Sequence, residues 1–140
     1  MPRGFDREID ASDLADFLEK GLLENLVILF RSEPDLYPLL ADLLGDERIA
    51  VRLGASALVE SLLEEDAGNG GRIASALLPL LDSGSPTVRG DAAWLLGAAG
   101  DSGALPGLRG IVDDENPDVR EAVREALERI EDREGREGSS

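Results

Sequence analysis

The sequence has no cysteine and no histidine, and only one methionine, one tryptophan and one tyrosine. Lacking cysteine, it has no disulfides and no thiol chemistry; lacking histidine, it is without the commonest general base and metal ligand. Lysine is almost missing too, with Lys20 its single copy and arginine carrying the other positive charges. No run of 18 apolar residues occurs, and Met1-Pro2-Arg3-Gly4 opens no signal peptide, so a soluble cytoplasmic protein is expected. Positive charge is short overall, 14 basic residues against 30 acidic ones for a net charge of −16. Nucleic-acid affinity rests on neutralising phosphates with Lys and Arg, so this balance argues against nucleic acid, and likewise against anionic membranes. It favours solubility, self-repulsion and attraction to a basic partner. At 140 residues the chain is one domain, long enough to bury a core.

What the chain does contain is a repeat. Pro117-Asp118-Val119-Arg120 is its clearest copy, and Val-Arg recurs upstream at Val88-Arg89 and Val51-Arg52. These origins lie 37 and 31 residues apart, a spacing typical of stacked helix pairs. Four, seven and eight places after each origin come Ala55, Leu58 and Val59; Ala92, Leu95 and Leu96; Val123, Ala126 and Leu127. At about 100° per residue these positions share one stripe, which predicts the inner helix of each pair. Eight and seven places before the origins stand Leu43-Leu44, Leu80-Leu81 and Ile111-Val112, on a preceding outer helix. Pro38 and Pro106 both sit thirteen places ahead, near that helix's start, where a missing N–H costs little.

On these residues the chain resembles the HEAT repeats, in particular the short bacterial and archaeal form called PBS-lyase HEAT-like repeats. The family's proline, turn aspartate and Val-Arg pair map to Pro38, Asp46, Val51 and Arg52, and again to Pro106, Asp114, Val119 and Arg120. The third repeat keeps Val88 and Arg89 but has Ser75 and Ser83 in place of the proline and the aspartate. The resemblance implies an all-α fold, an α-α superhelix (HEAT-like solenoid) of about four helix pairs, with the inner helices on the concave side. It says little of function.

In order along the chain, residues 1–11 are expected to be flexible. A single repeat domain follows over 12–130, its repeats at about 12–33, 34–66, 71–98 and 103–130. Asp10 or Ser12 caps the first helix, and the apolar run Leu22–Phe30 reads as a helix sandwiched between neighbours. Asp66–Gly71 should be a mobile loop, and Pro79 should kink the outer helix of the third repeat. Residues 131–140, charged and Gly-containing, read as a disordered tail.

Few residue groups invite chemistry. Arg52, Arg89 and Arg120 recur once per repeat and either line a groove or, as the recurring turn aspartates favour, bond turn groups of their own or a neighbouring repeat. From Asp114, oxygen-bearing side chains fall at calcium-loop places one, three and five, with Glu125 at twelve. Val119, however, occupies the sixth place, where that loop needs glycine, so a capped turn is expected. Gly68-Asn69-Gly70-Gly71-Arg72 lacks the lysine and strand of a phosphate loop. No carboxylate sits in an apolar run that would raise its pKa, so no catalytic residue, cofactor or metal site is expected.

One feature singles out the middle of the stack. At places two, five, six and nine the fourth repeat has Glu121, Arg124, Glu125 and Glu128, whereas the third has Gly90, Ala93, Trp94 and Gly97. Leu53 and Ala57 belong to the same set in the second repeat. Residues 71–102 carry three acids and two bases, between strongly acidic flanks. A tryptophan among small residues with acidic borders suits a partner's basic or amphipathic segment, although Trp94 can also fill the seam between repeats. The expected role is therefore a non-enzymatic, monomeric interaction scaffold, with Leu53, Ala57, Gly90, Ala93, Trp94 and Gly97 as candidate contacts. A second reading, an accessory subunit of a lyase or maturation enzyme, follows from the phycobilin-lyase resemblance alone.

Overall fold

A computed structural model describes residues 9–138, with side chains as far as Gly135. The expected flexible start falls mostly on residues 1–8, outside the described residues. Ile9 already packs against the core, and Asp10 caps the first helix. Among the described residues all regular structure is helical, in eight α-helices joined by short 3-10 segments.

Helix α1 (Ala11–Glu19) starts with a reciprocal cap. Asp13 N donates to Asp10 Oδ1 at 2.9 Å, and Asp10 N donates to Asp13 Oδ2 at 3.2 Å. Gly21, at φ +80°, lets the chain turn into α2 (Leu23–Ser32) where a side chain would strain the backbone. Helix α2 buries Leu26, Val27 and Phe30 but leaves Ile28 exposed. The Leu22–Phe30 run is therefore not sandwiched on all sides: it is an edge helix of a terminal unit, with one face in water. Phe30 meets the buried Tyr37 edge-on, with ring centroids 5.5 Å apart.

Three outer–inner pairs follow. Their outer members are short and mixed: a 3-10 segment Pro34–Leu39 leads into α3 (Leu40–Leu44), α5 (Gly70–Leu77) leads into 3-10 Leu78–Asp82, and 3-10 Ser102–Ala104 leads into α7 (Leu105–Arg109). Proline accounts for much of this. Pro38 and Pro79 lie within the 3-10 segments and Pro106 in the first turn of α7. A proline can neither donate the helical bond nor fit against the preceding turn, and a 3-10 stretch absorbs that locally. The predicted kink at Pro79 is thus a change of helix type at Leu78. The predicted mobile loop Asp66–Gly71 is instead a single 3-10 turn, Ala67–Asn69, running straight into α5. Gly68 N donates to Asp66 Oδ1 at 2.8 Å and Asn69 Nδ2 to the Leu62 carbonyl at 2.9 Å.

The inner helices α4 (Ile49–Glu65), α6 (Pro86–Ala99) and α8 (Pro117–Gly138) stack on one side, with the outer segments meeting one another on the other. Every predicted stripe position is buried except Leu127, which is half-buried. Full burial of each Leu or Val contributes on the order of 1.5–3 kcal/mol. Val112, expected on the outer helix, is exposed because α7 ends at Arg109 and leaves it in the turn. The expected disordered tail is corrected as well. Helix α8 continues to Gly138 over a buried Ile130; Arg133 Nη2 donates to the Gly100 carbonyl at 2.7 Å, and Ser102 N donates to Glu134 Oε1 at 2.8 Å.

Helices α6 and α8 approach so closely that a Cβ on Gly97 would lie 2.9 Å from the Ala126 Cα. Gly97→Leu should therefore lower the unfolding free energy by at least about 1–3 kcal/mol through overpacking. Gly71→Ala, with open space around its Cβ, should be neutral or stabilising by up to about 1 kcal/mol. Urea unfolding followed by circular dichroism checks both, and equal effects would refute the close approach.

Candidate partner-binding face

The recurring arginines do one thing three times. Arg52 Nη1 donates to the Asp46 carbonyl at 2.7 Å, Arg89 Nη1 to the Ser83 carbonyl at 2.8 Å, and Arg120 Nη1 to the Asp114 carbonyl at 2.7 Å. The residue supplying each carbonyl also closes the turn with its side chain. Arg48 N donates to Asp46 Oδ1 at 2.8 Å, Ser85 N to Ser83 Oγ at 3.1 Å, and Asn116 N to Asp114 Oδ1 at 3.0 Å. Each inner helix is thereby tied to the turn that precedes it, and the arginines are structural, not groove-lining.

Contacts between repeats are less uniform. Arg89 alone of the three also reaches the next turn, with Nε 2.8 Å from Asp114 Oδ2 and Nη2 3.0 Å from Oδ1, in a pair whose side chains are 11% and 8% exposed. This fork-to-fork geometry suits arginine and carboxylate. Between the first and second units the polarity is reversed: Arg48, held by Asp46, reaches back to Glu19 at 3.2 Å and Asp16 at 3.5 Å. Between the second and third units Ser83 stands where an aspartate would receive Arg52. There Arg72 lies over the Tyr37 ring, at 6.0 Å, as one cross-seam charge contact. Near Arg52 lies Asp91, half-buried on α6; burial pushes its carboxyl above the usual range while Arg52 opposes the shift.

Of the six candidate contacts, four stay at least partly exposed on α4 and α6. Leu53 is 67% and Trp94 49% exposed, and Ala57 and Gly90 are partly exposed. Ala93 and Gly97 are corrections: both are buried, Gly97 directly against α8. The helical wheel gives their direction on α6 but not the position of the helix beside it. Trp94 is half in the seam, with the Arg129 guanidinium 5.1 Å from its ring centroid and the rest of the ring in water. Sequence reasoning missed Ile49, 66% exposed and one turn before Leu53. Its i, i+4 relation to Leu53 was the available signal.

The calcium-like stretch is a capped turn. Asp118 N and Val119 N donate to Asn116 Oδ1 at 2.8 and 3.2 Å, while Asp114 is engaged by Arg89. Among the described residues no group of three or more acidic side chains is arranged to hold a metal, and no helix is long and apolar enough to cross a membrane.

These features define an all-α helical-repeat protein whose polar contacts serve its own turns and seams. Residues 74–137, from within α5 into the last turns of α8, match the family model described as HEAT repeats. The match spans a little under half of the chain and supports the HEAT-repeat family. No curated protein and no solved structure matches the chain.

Asp114 and Asp91 should respond to acid with opposite signs. Hydrogen bonds from Arg89 hold the Asp114 carboxyl below the usual range. Its stabilising effect is complete above the unfolded value near 4 and fades as pH falls through the folded pKa. Asp91, raised by burial, costs stability while ionised, and that cost is relieved as pH falls through its raised pKa. Asp114→Asn should thus lower Tm at pH 7 by a deficit that closes below about pH 4. Asp91→Asn should raise Tm at pH 7 by a gain that closes on acidification. Thermal scans across pH check this, and pH-independent offsets would reject it. Ser83→Asp should give Arg52 the missing partner and add up to about 1 kcal/mol; unchanged stability would mean that Arg52 does not reach the next turn.

Proposed function

We propose that this protein is a non-enzymatic interaction module that receives a partner segment on the inner-helix face around Leu53, Ala57, Gly90 and Trp94. The observation carrying this reading is the exposure of large apolar side chains on two inner helices of an acidic protein: Ile49 and Leu53 are about two-thirds exposed and Trp94 half exposed. Large apolar side chains left in water beside small ones are how protein-binding surfaces present an anchor. HEAT repeats generally mediate protein–protein interaction, in keeping with this role. The PBS-lyase subtype and an accessory role beside a lyase rest on the motif resemblance alone.

The test is affinity purification of the native complex, identification of the partner by mass spectrometry, and calorimetric titration of that partner. Trp94→Ala and Leu53→Glu should each weaken binding about tenfold or more while helicity is retained. Folded variants that bind as tightly as the parent would sink the assignment.

A further inference from the structure

The exposed stripe of α4 does not end with its apolar residues. After Leu53 and Ala57 it continues through Glu60, Ser61 and Glu64, at helical spacing. Its first half is apolar and its second half carries carboxylates. Beside that second half, α2 and α4 enclose an open groove of about 690 Å³. Val27 and the 62%-exposed Ile28 give it an apolar wall, and Glu24, Glu64 and Glu65 line it with negative charge. Among the described residues Arg31 is the one cation of the groove lining, and at 3.5 Å from Glu65 it offsets a single carboxylate. Glu24 and Glu64 have no hydrogen-bond or ion-pair partner among the described residues.

Helix electrostatics point the same way. Glu64 and Glu65 occupy the last turn of α4, where the macrodipole is already negative, and that turn contains no basic residue. Acids at this end destabilise their own helix, and a cation bound in the groove would relieve them. Anionic ligands and a second copy of this chain bring the wrong charge to it. We infer that the α2–α4 groove is a cation-selecting subsite of the partner face, and that the bound segment is an amphipathic helix laid along α4 with its apolar end over Leu53 and its Lys or Arg end in the groove. This rests on the partner-binding reading above and adds the partner's chemistry and its direction. From Leu53 to Glu64 the stripe spans about 16 Å, or three helical turns.

The probe is a fluorescein-labelled synthetic helix of about 18 residues, long enough to cover the stripe. It carries leucines on one face of its first half and lysines in its second; a matched peptide has glutamate for lysine. Fluorescence anisotropy measures both at low and high salt. The lysine peptide should bind with a Kd below about 100 μM, weaken with salt, and outbind the glutamate peptide. Glu24→Gln/Glu64→Gln should weaken it about fivefold or more, while Glu121→Gln/Glu128→Gln, with the same change in net charge, should change it less than about twofold. Equal losses in the two double variants would overturn the subsite in favour of diffuse attraction, and absence of saturable binding would overturn it outright. Loss in Leu53→Glu and Trp94→Ala with none in Glu24→Gln/Glu64→Gln would reject the groove and keep the face. The reverse pattern would keep the groove and reject the face.

Discussion

The bond from each repeat's arginine to its own turn carbonyl is the constraint on which the rest of the stack depends. Each outer segment, eight to thirteen residues long, ends in a turn whose carbonyls have no helical partner. The Arg52, Arg89 and Arg120 guanidinium groups reach back six residues to fill that need and carry positive charge toward the negative end of the outer segment. The same turn residue satisfies an N–H ahead of the inner helix with its side chain. One residue therefore joins the end of one helix to the start of the next. Lysine, a single flexible point charge, would not combine this with the forked grip that Arg89 also places on Asp114.

With the joint inside each repeat fixed, the seams between repeats are free to differ, and they do. The last seam is closed on every side: glycine against alanine between α6 and α8, the Arg89–Asp114 fork at one end, and Arg133 and Glu134 on the turn at the other. In the middle seam the aspartate is a serine, the arginine keeps its own turn alone, and a half-buried carboxylate, Asp91, sits beside it. That part of the chain is also the least charged, with three acids and two bases over residues 71–102, so little self-repulsion acts on this seam.

Periodicity read the burial stripe well because it is a property of one helix: the apolar positions of α4, α6 and α8 follow from their spacing with few exceptions. The roles of the arginines were legible because a turn acceptor recurs with them. Ala93 and Gly97 were misread because pointing away from one stripe is not the same as facing water; α8 lies there, and smallness at those positions served helix packing. The tail was misread from its charge, yet Ile130, Arg133 and Glu134 come at helical spacing and each finds its contact in the turn after α6. Composition describes a segment's solvation, whereas its order came from partners about thirty residues away.

The tryptophan illustrates how the two demands on the middle of the stack are reconciled. A ring fully inside the seam would keep α6 from approaching α8 as closely as Gly97 and Ala126 allow. A ring fully in water would lose that contact area. Trp94 does neither: Arg129 from α8 covers it as a cation, and about half of its surface stays open. The cover comes from the last inner helix, so the ring is steadied from that side. In the proposed role, an incoming apolar side chain would meet a ring already held in place, so little rotamer freedom would be lost on contact. In that role acidic residues elsewhere on the surface would oppose partners of like charge, and anchor and charge together would select for an apolar, basic segment.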